Sequence, residues 1–177
     1  MRERNTTEDE PQTTGMVAPT APTPVGIIIV DHGSTRAESN DMLDAFVAMF
    51  RVHSHYGIVE PAHMELAEPS IATAFARCVQ QGAASIVVSP YFLSPGRHWH
   101  SDIPRLASEA ARAHEGISYL VGAPIGLHPM MVQVVQSRID HCLQHAVGEA
   151  PDCDVCEGTD RCVMRGSDPP WRVASGQ

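Results

Sequence analysis

Along the middle of the chain, continuous apolar runs are followed in turn by segments with helical spacing, which is the order of elements in a βα protein. Continuous apolar runs predict strands that are buried on both faces, which is typical of a parallel sheet. Four such runs occur, the second weaker than the others, at 25–30, 57–66, 84–92 and 117–122. Segments with helical spacing separate them. The order therefore predicts an α/β fold, with a four-stranded, mostly parallel sheet and helices on both faces.

Four helices are predicted from apolar residues at three- and four-residue spacing. The first begins behind Ser39 and Asn40, which are favourable N-cap residues, and the second has Pro69 in its first turn. The third runs over 101–114, and the last is a long amphipathic helix over 128–147.

The same pattern divides the chain into three parts. Residues 1–24 are rich in Thr, Pro and charge, which predicts a disordered extension with neither a secretory signal nor an acid-poor transit peptide. Residues 25–148 form the folded domain, and residues 149–177 form a polar, flexible tail with a predicted metal site. No run reaches the ~18 apolar residues of a transmembrane helix, so no membrane partner is expected.

Charge narrows the function classes. The chain has 12 basic and 21 acidic residues, a net charge of −9, and all of its basic residues are Arg. An acidic chain lacks the basic stripe of nucleic-acid-binding proteins, so no nucleic-acid partner is expected. The absence of Lys excludes Schiff-base and P-loop chemistry. Only −4 of the charge lies in residues 25–148, so arginines there can still bind an acidic ligand locally.

Candidate chemistry clusters where the predicted strands end, which is where parallel sheets bind ligands. His32 follows the first strand in an Asp-His-Gly-Ser turn, and Glu65 follows the second. His98 and His100 follow the third strand in a segment that also contains Arg, Trp and Asp. Neutral imidazole accepts a proton or binds a divalent metal near pH 7. The sequence therefore predicts a site for metal or proton transfer at this edge.

Structural interpretations compete with the functional ones. His32 can be a turn residue, Glu65 an exposed loop acid, and Glu68 a favourable charge at a helix N-terminus. If His98 and His100 lie on an extended segment, their side chains point to opposite sides and at most one faces the cleft. Surface positions are expected for His53, His55, His63 and His114.

Four of the five cysteines suggest a second metal site. Cys153, Cys156 and Cys162 lie in the tail, and Cys142 lies on the last predicted helix. Four thiolates suit either zinc or a [2Fe–2S] cluster, and their spacing does not decide between them. An unligated tail and a core position for Cys142 are the alternatives. Cys78 is expected in the core, because it lies on the apolar face of its helix.

Four segments resemble the small class II tetrapyrrole chelatases of the SirB/CbiX type, and among them the sirohydrochlorin ferrochelatases. They are VDHGS (30–34), MELAEPSI (64–71), SPYFLSPGRHWHSDIP (89–104) and APIGLHPMM (123–131). The similarity extends over essentially all of 25–165. The Cys-x2-Cys-x-Gly-Thr-x2-Cys tail is similar to that of the plant and cyanobacterial forms, which carry an iron–sulfur cluster.

This resemblance implies a chelatase-like fold, a homodimer, a [2Fe–2S] cluster, and insertion of Fe²⁺, as a substrate, into sirohydrochlorin to form siroheme. It also implies that His32 and His98 handle the metal. From the chemistry of imidazole we expect the same two residues to accept the pyrrole protons. Glu65 would help to hold the hydrated cation. Sirohydrochlorin is rich in carboxylates, so it needs local hydrogen-bond donors. The candidates are Ser34, Arg36, Arg97 and His100.

Two other functions remain open at this point. One is cobalt insertion for cobalamin synthesis, because a His pair does not discriminate Fe²⁺ from Co²⁺. The other is a non-catalytic iron–sulfur carrier or sensor on the same scaffold, which would not need His32 and His98. The cysteines indicate a reducing compartment, either a cytoplasm or, in a photosynthetic eukaryote, the plastid stroma.

Overall fold

The computed structural model describes residues 24–159. Cys162 and all but the last residue of the predicted extension lie outside this range. The elements in chain order are β1 (Val25–Asp31), α1 (Ala37–His53), β2 (Ile58–His63), α2 (Ile71–Gln80), β3 (Ser85–Pro90), a π-helix (His98–Asp102), α3 (Ile103–Ala111), β4 (Ser118–Val121) and α4 (Pro129–Ala146).

The four strands form one sheet in the order β2-β1-β3-β4, and each described ladder is parallel. The predicted α/β class and parallel sheet are confirmed. β1 lies inside the sheet because the side chains of its apolar run are buried on both faces. The order brings the carboxyl ends of β1, β2 and β3 side by side, at the edge where the sequence predicts a site.

Helices cover both faces of the sheet, as predicted. On one face Ile28 packs in a cluster with Phe75 of α2 and Ile103 of α3. On the other face Ile29 packs in a cluster with Leu43 of α1. Burying a side chain such as Ile28 contributes roughly 1.5–3 kcal/mol, so both helix layers hold β1 in place.

The start of α1 differs from the prediction. The helix begins at Ala37 with Arg36 as its N-cap residue, instead of behind Ser39 and Asn40. The Asn40 side chain accepts the backbone N–H of Ser34 at 2.9 Å and donates to the carbonyl oxygen of Ser34 at 2.9 Å. Asn40 therefore fixes the loop after β1 to the helix, and its side chain is not available as a cap.

The start of α2 also differs, because Pro69 lies before the helix. The Glu68–Pro69 peptide is cis, and the hydroxyl of Ser70 caps α2 by accepting the N–H of Thr73 at 3.3 Å. Glu68 accepts the N–H of Ser70 at 2.7 Å and the hydroxyl of Thr73 at 2.8 Å. The interpretation of Glu68 as a charge at a helix N-terminus is confirmed.

The backbone hydrogen bond from Ser70 and the side-chain bond from Thr73 lower the pKa of Glu68. A carboxyl whose pKa is lowered by folding stabilises the protein at pH values above its unfolded pKa. That contribution is lost as the pH falls through the folded-state pKa. Glu68 therefore adds to stability at neutral pH and not in acid.

The last helix, α4, agrees closely with the predicted 128–147 segment but does not join the core. No residue of α4 is buried. Its exposed apolar side chains include Met130, Val132, Val135, Ile139 and Leu143. Among residues 24–159, no helix combines the length and the apolar character needed to cross a bilayer.

Candidate active site

The turn after β1 carries His32 and depends on the glycine that follows it. Gly33 has φ +83°, and a Cβ at this position would lie 2.0 Å from the carbonyl oxygen of Glu65. Glycine is required here because it has no Cβ and adopts positive φ without strain. The close approach brings the loops after β1 and β2 into contact, so His32 lies next to Glu65.

His32 and Glu65 are joined through both backbone and side chains. The N–H of Glu65 donates to the carbonyl oxygen of His32 at 3.1 Å. The Nε2 atom of His32 lies 2.9 Å from Oε1 of Glu65, with the two side chains 43% and 54% exposed. Nδ1 of His32 lies 3.0 Å from the carbonyl oxygen of Gly33. A proton or metal ion at Nε2 of His32 is therefore stabilised by the Glu65 carboxylate, and both side chains are accessible to solvent.

His98 is the first residue of the π-helix, so the extended conformation considered for this segment is wrong. The N–H of His100 donates to the carbonyl oxygen of Gly96 at 3.0 Å. The helical backbone therefore begins before Ser101 and continues into α3. Trp99 donates its indole N–H to the carbonyl oxygen of Gly122 at 2.8 Å, which fixes the segment to the end of β4. π-helical turns occur frequently at functional sites.

The π-helix orients His98 through a carboxylate. Nδ1 of His98 donates to Oδ2 of Asp102 at 2.9 Å. This bond leaves the lone pair on Nε2, the arrangement seen in histidines that bind metals. The rings of His98 and His32 lie 5.2 Å apart between centroids, at an interplanar angle of 74°. The structure thus brings together the two histidines that the sequence predicts as a pair.

A cavity of about 400 Å³ opens beside these residues, and it is lined by Met64, Glu65, Arg97, His98, Asp102, Arg105 and Leu106. Arg97 is 86% exposed, with Nε 3.8 Å from Oδ2 of Asp102. Arg105 pairs with Glu109 at 3.0 and 3.1 Å. The sequence prediction missed Arg105 because it treated residues before 101 as a loop. A helix continuous from His98 would have indicated Arg105 on the same face.

Comparison with known proteins gives the family. The CbiX family model matches residues 26–142. The chain belongs to the CbiX family. It is 61% identical over 142 residues to "Sirohydrochlorin ferrochelatase, chloroplastic" of Arabidopsis thaliana. This match covers 80% of this chain and 63% of that protein. It is 28% identical over 130 residues to sirohydrochlorin cobaltochelatase of Priestia megaterium, which covers 73% and 42%.

The structural comparison agrees. The structure of SirB from Bacillus subtilis with Fe³⁺ matches with a TM-score of 0.62 at 32% identity, covering 66% of this chain and 46% of that one. The predicted chelatase-like fold is therefore confirmed. This CbiX-family chain spans less than two thirds of the length of the Arabidopsis protein, and less than half of SirB.

Three further residues predicted for substrate binding lie outside the cavity lining. Ser34 accepts the N–H of Arg36 through its hydroxyl at 3.1 Å, just before α1. The ring of His100 contacts that of Trp99, with 4.6 Å between centroids. Of the four predicted residues, only Arg97 lines the cavity. The roles of Ser34, Arg36 and His100 stay predictions.

His63 was expected at the surface, and this expectation is wrong. Its side chain is 1% exposed, because β2 is buried almost throughout and ends against Asp31 of β1. His53 and His55 are exposed as expected, and His114 is half-buried. Cys78 is in the core as predicted, and burial raises the pKa of its thiol to about 12.

The described part of the tail folds into a turn at Cys153. The N–H groups of Cys156 and Glu157 donate to the carbonyl oxygen of Cys153 at 3.0 and 2.9 Å. Hydrogen bonds from the backbone of Val155 and Cys156 lower the pKa of the Cys153 thiol. The turn therefore favours the thiolate form of Cys153.

Polar contacts hold this turn against α4. Arg138 forms a double ion pair with Asp154, which raises the pKa of Arg138, and the thiols of Cys153 and Cys142 add to that shift. His145 pairs with Asp152 at 2.8 Å. Within residues 24–159, no three His, Cys, Asp or Glu side chains form a group that could hold a metal ion.

Proposed function

We propose that this chain inserts Fe²⁺ into sirohydrochlorin, a tetrapyrrole, to form siroheme. The meeting of His32, Glu65 and His98 beside the cavity carries the proposal, because these side chains can exchange a divalent ion and protons with a macrocycle. Iron is favoured over cobalt because the relative at 61% identity is named a ferrochelatase, whereas the cobaltochelatase compared above shares 28%.

The metal would enter between His32 and Glu65. Two ligands about 2.1 Å from one metal, at right angles to each other, lie about 3.0 Å apart. The 2.9 Å between Nε2 of His32 and Oε1 of Glu65 suits this arrangement. His98 does not form one preformed metal-binding group with them, so its Nε2 would act on the ion or on the ring protons from the neighbouring position. Weak binding by so few protein ligands is an advantage, since the ion must leave for the ring.

The same histidines would accept the protons that the metal displaces from the ring. Imidazole is a suitable base near pH 7, and a carboxylate partner stabilises the imidazolium that forms. Asp102 would stabilise the imidazolium of His98, since its Oδ2 lies 2.9 Å from Nδ1 of that ring. Glu65 would stabilise the imidazolium of His32, since its Oε1 lies 2.9 Å from Nε2 of that ring. Both rings are more than one third exposed, so the protons can pass to solvent.

The substrate's carboxylates would meet cationic side chains at the cavity. Arg97 is highly exposed, and Arg105 lines the same cavity. Arginine binds carboxylates through paired hydrogen bonds, so these two residues can offset the negative charge of the chain locally. Ser34, Arg36 and His100 are proposed as further contacts for a substrate larger than the cavity.

A metal-insertion assay tests the function. The purified full chain is mixed anaerobically with sirohydrochlorin and Fe²⁺, Co²⁺ or Ni²⁺, and the absorbance change is followed. We expect the fastest change with Fe²⁺. A faster change with Co²⁺ would favour the cobaltochelatase alternative. No enzymatic insertion of any metal would favour a carrier or sensor.

We also propose a plastid location, since the relative at 61% identity is named chloroplastic. A fluorescent fusion of the full-length gene product in cells of the source would test it. Fluorescence outside plastids would contradict this location.

We propose that Cys142, Cys153, Cys156 and Cys162 hold a [2Fe–2S] cluster, with zinc as the alternative. Two observations support it: the lowered pKa of the Cys153 thiol, and the nearness of Cys142 and Cys153 to Arg138. When bound, such a cluster supplies a one-electron redox centre. The histidine chemistry proposed above does not require it.

The variant Cys156→Ala should lose the visible absorption of the anaerobically purified protein and keep substantial chelatase activity. The reason is that the tail and the histidine site use different residues. The matched control is Cys78→Ala, which removes a buried thiol outside the tail and should keep the absorption. A folded Cys156→Ala protein without activity would contradict the separation. A colourless wild-type protein that contains zinc would favour the alternative metal.

We propose that two copies of the chain pair through α4. The helix has no buried residue, and Met131, Val132, Val135 and Ile139 form an apolar groove along it. Leu120 of the edge strand β4 is also 59% exposed. Monomers rarely expose a large continuous apolar patch. A second copy is the favoured occupant because the matched part of this chain covers 46% of SirB, so two such matched parts together approach the length of one SirB chain.

The variant Val135→Asp should shift the protein from dimer to monomer in light scattering, because a charge would be buried between the copies. Gln133→Asp is the matched control on the polar side of α4, and it should remain dimeric. A Val135→Asp protein that stays dimeric, or a wild-type monomer, would contradict pairing through this helix.

A further inference from the structure

One carboxylate oxygen connects the ends of two strands to the turn that carries His32. Asp31 and His63 are the last residues of β1 and β2 and face each other in register. Nδ1 of His63 donates to Oδ1 of Asp31 at 2.6 Å. The same oxygen accepts the N–H of Gly33 at 2.9 Å. The position of the turn relative to β2 therefore depends on this carboxylate.

The two site residues follow this pair almost directly along the chain. His32 is next to Asp31, and Glu65 is two residues after His63. The N–H of Met64 donates to the carbonyl oxygen of Asp31 at 2.9 Å, which extends the contact toward Glu65. A shift between the strand ends would change the 2.9 Å separation of Nε2 in His32 and Oε1 in Glu65.

Stability alone does not explain a histidine at position 63. Its side chain is fully buried, and Nε2 has no hydrogen-bond partner among the described residues. An unpaired polar atom in the interior destabilises a fold. A leucine would fill the space without that cost. The feature that leucine lacks is the Nδ1–H group, which holds the Asp31 carboxylate.

We propose that Asp31 and His63 are positioning residues that set the distance between His32 and Glu65. Neither residue touches the substrate in this assignment, which rests on the function proposed above. Residues that orient metal-binding side chains typically change metal affinity or activity by about 10- to 100-fold when they are replaced. The pair should therefore affect metal handling more than it affects stability.

The test compares His63→Leu and His63→Asn in the full chain, purified without metal. We expect His63→Leu to weaken binding of Co²⁺ alone, and to lower kcat, by about 10- to 100-fold. KM for sirohydrochlorin should stay near the wild-type value. Tm should also stay near the wild-type value, because removing the buried, unpaired Nε2 offsets the loss of the hydrogen bond to Asp31. His63→Asn should recover most of both losses, because its amide N–H can replace Nδ1–H. The double variant Asp31→Ala, His63→Leu should lose no more than the larger single loss, since the two act as a unit.

Two controls isolate the site. His32→Ala measures Co²⁺ bound elsewhere in the chain, including the cysteines, and this signal is subtracted. His114→Leu makes the same substitution at a half-buried histidine just after the C-terminal end of α3, beside Phe75, and should change neither Co²⁺ binding nor kcat. Binding of Co²⁺ does not require turnover, so it tests the pair even if the wild-type chain inserts no metal.

Three outcomes would overturn the proposal. The first is a His63→Leu protein that keeps its Co²⁺ affinity and kcat. The second is a His63→Leu protein that fails to fold or has a lower Tm, because His63 would then serve the fold. The third is a His63→Asn protein as impaired as His63→Leu, because the N–H donor would then not be the group that matters.

Discussion

His32→Ala and His98→Ala are each expected to lower the rate of iron insertion by roughly 10²- to 10⁴-fold, the usual contribution of a positioned acid or base. His32→Ala removes the nitrogen that lies 2.9 Å from Oε1 of Glu65. His98→Ala removes the imidazole that Asp102 orients at 2.9 Å. Both changes take away a ligand for the entering ion and a base for the ring protons, so the loss should appear in kcat.

The measurement is the initial rate of metal insertion at saturating sirohydrochlorin, with Tm recorded for each variant. His53→Ala is the control, because this histidine on α1 is exposed, its Nδ1 lies 2.9 Å from the carbonyl oxygen of Met49, and it has no part in the proposed site. Its rate should equal that of the wild type. Near-native rates in both His32→Ala and His98→Ala would refute the proposed roles.

Gly33→Ala should lower stability and activity more than alanine at any other glycine of the described residues. The added Cβ would lie 2.0 Å from the carbonyl oxygen of Glu65 and 2.9 Å from Cβ of His63. The positive φ alone costs about 1–2 kcal/mol for a residue with a Cβ. The overlap with a backbone oxygen adds to this, because it is relieved only if the two loops separate. We therefore expect a lower free energy of unfolding and almost no activity.

Gly82→Ala is a matched control for this variant. Gly82 has φ +92°, and a Cβ there would meet nothing within 4 Å. It should lose only the conformational term and keep its activity. Urea denaturation and the insertion assay, run on both variants, separate the cost of φ from the cost of the close approach. Equal losses in the two variants would contradict the importance of that approach.

Local pattern was sufficient for most of the elements and insufficient for their ends. The apolar run of β1 and the periodicity of α4 predicted both elements closely. The predicted starts of α1 and α2 were wrong because the residues at these starts have other partners or another place in three dimensions. Asn40 binds the backbone of Ser34, and Pro69 lies ahead of the Ser70 cap. Such partners come from distant or irregular segments, which periodicity does not describe.

The candidate site was predictable only in part. His32, Glu65 and His98 each follow a predicted strand, and parallel strands present their carboxyl ends on one edge. That rule brings residues to an edge but does not select partners. His63 was expected at the surface, because the sequence around it does not show that its buried ring forms a hydrogen bond with Asp31 of the adjacent strand. Arg105 was missed because the helical segment that contains it begins at His98, before the predicted start at Ser101.

By itself, the sequence determined the βα order, the parallel sheet, the core position of Cys78 and the edge at which the histidines gather. Those features follow from hydrophobic periodicity and strand direction, which act over a few residues at a time. Tertiary structure alone decided that Gly33 contacts the loop of Glu65 and that His63 is buried with a hydrogen bond to Asp31. It also decided that α4 lies outside the core. These depend on contacts between segments distant in the chain, where packing and hydrogen bonding select one arrangement among many that the same local pattern allows.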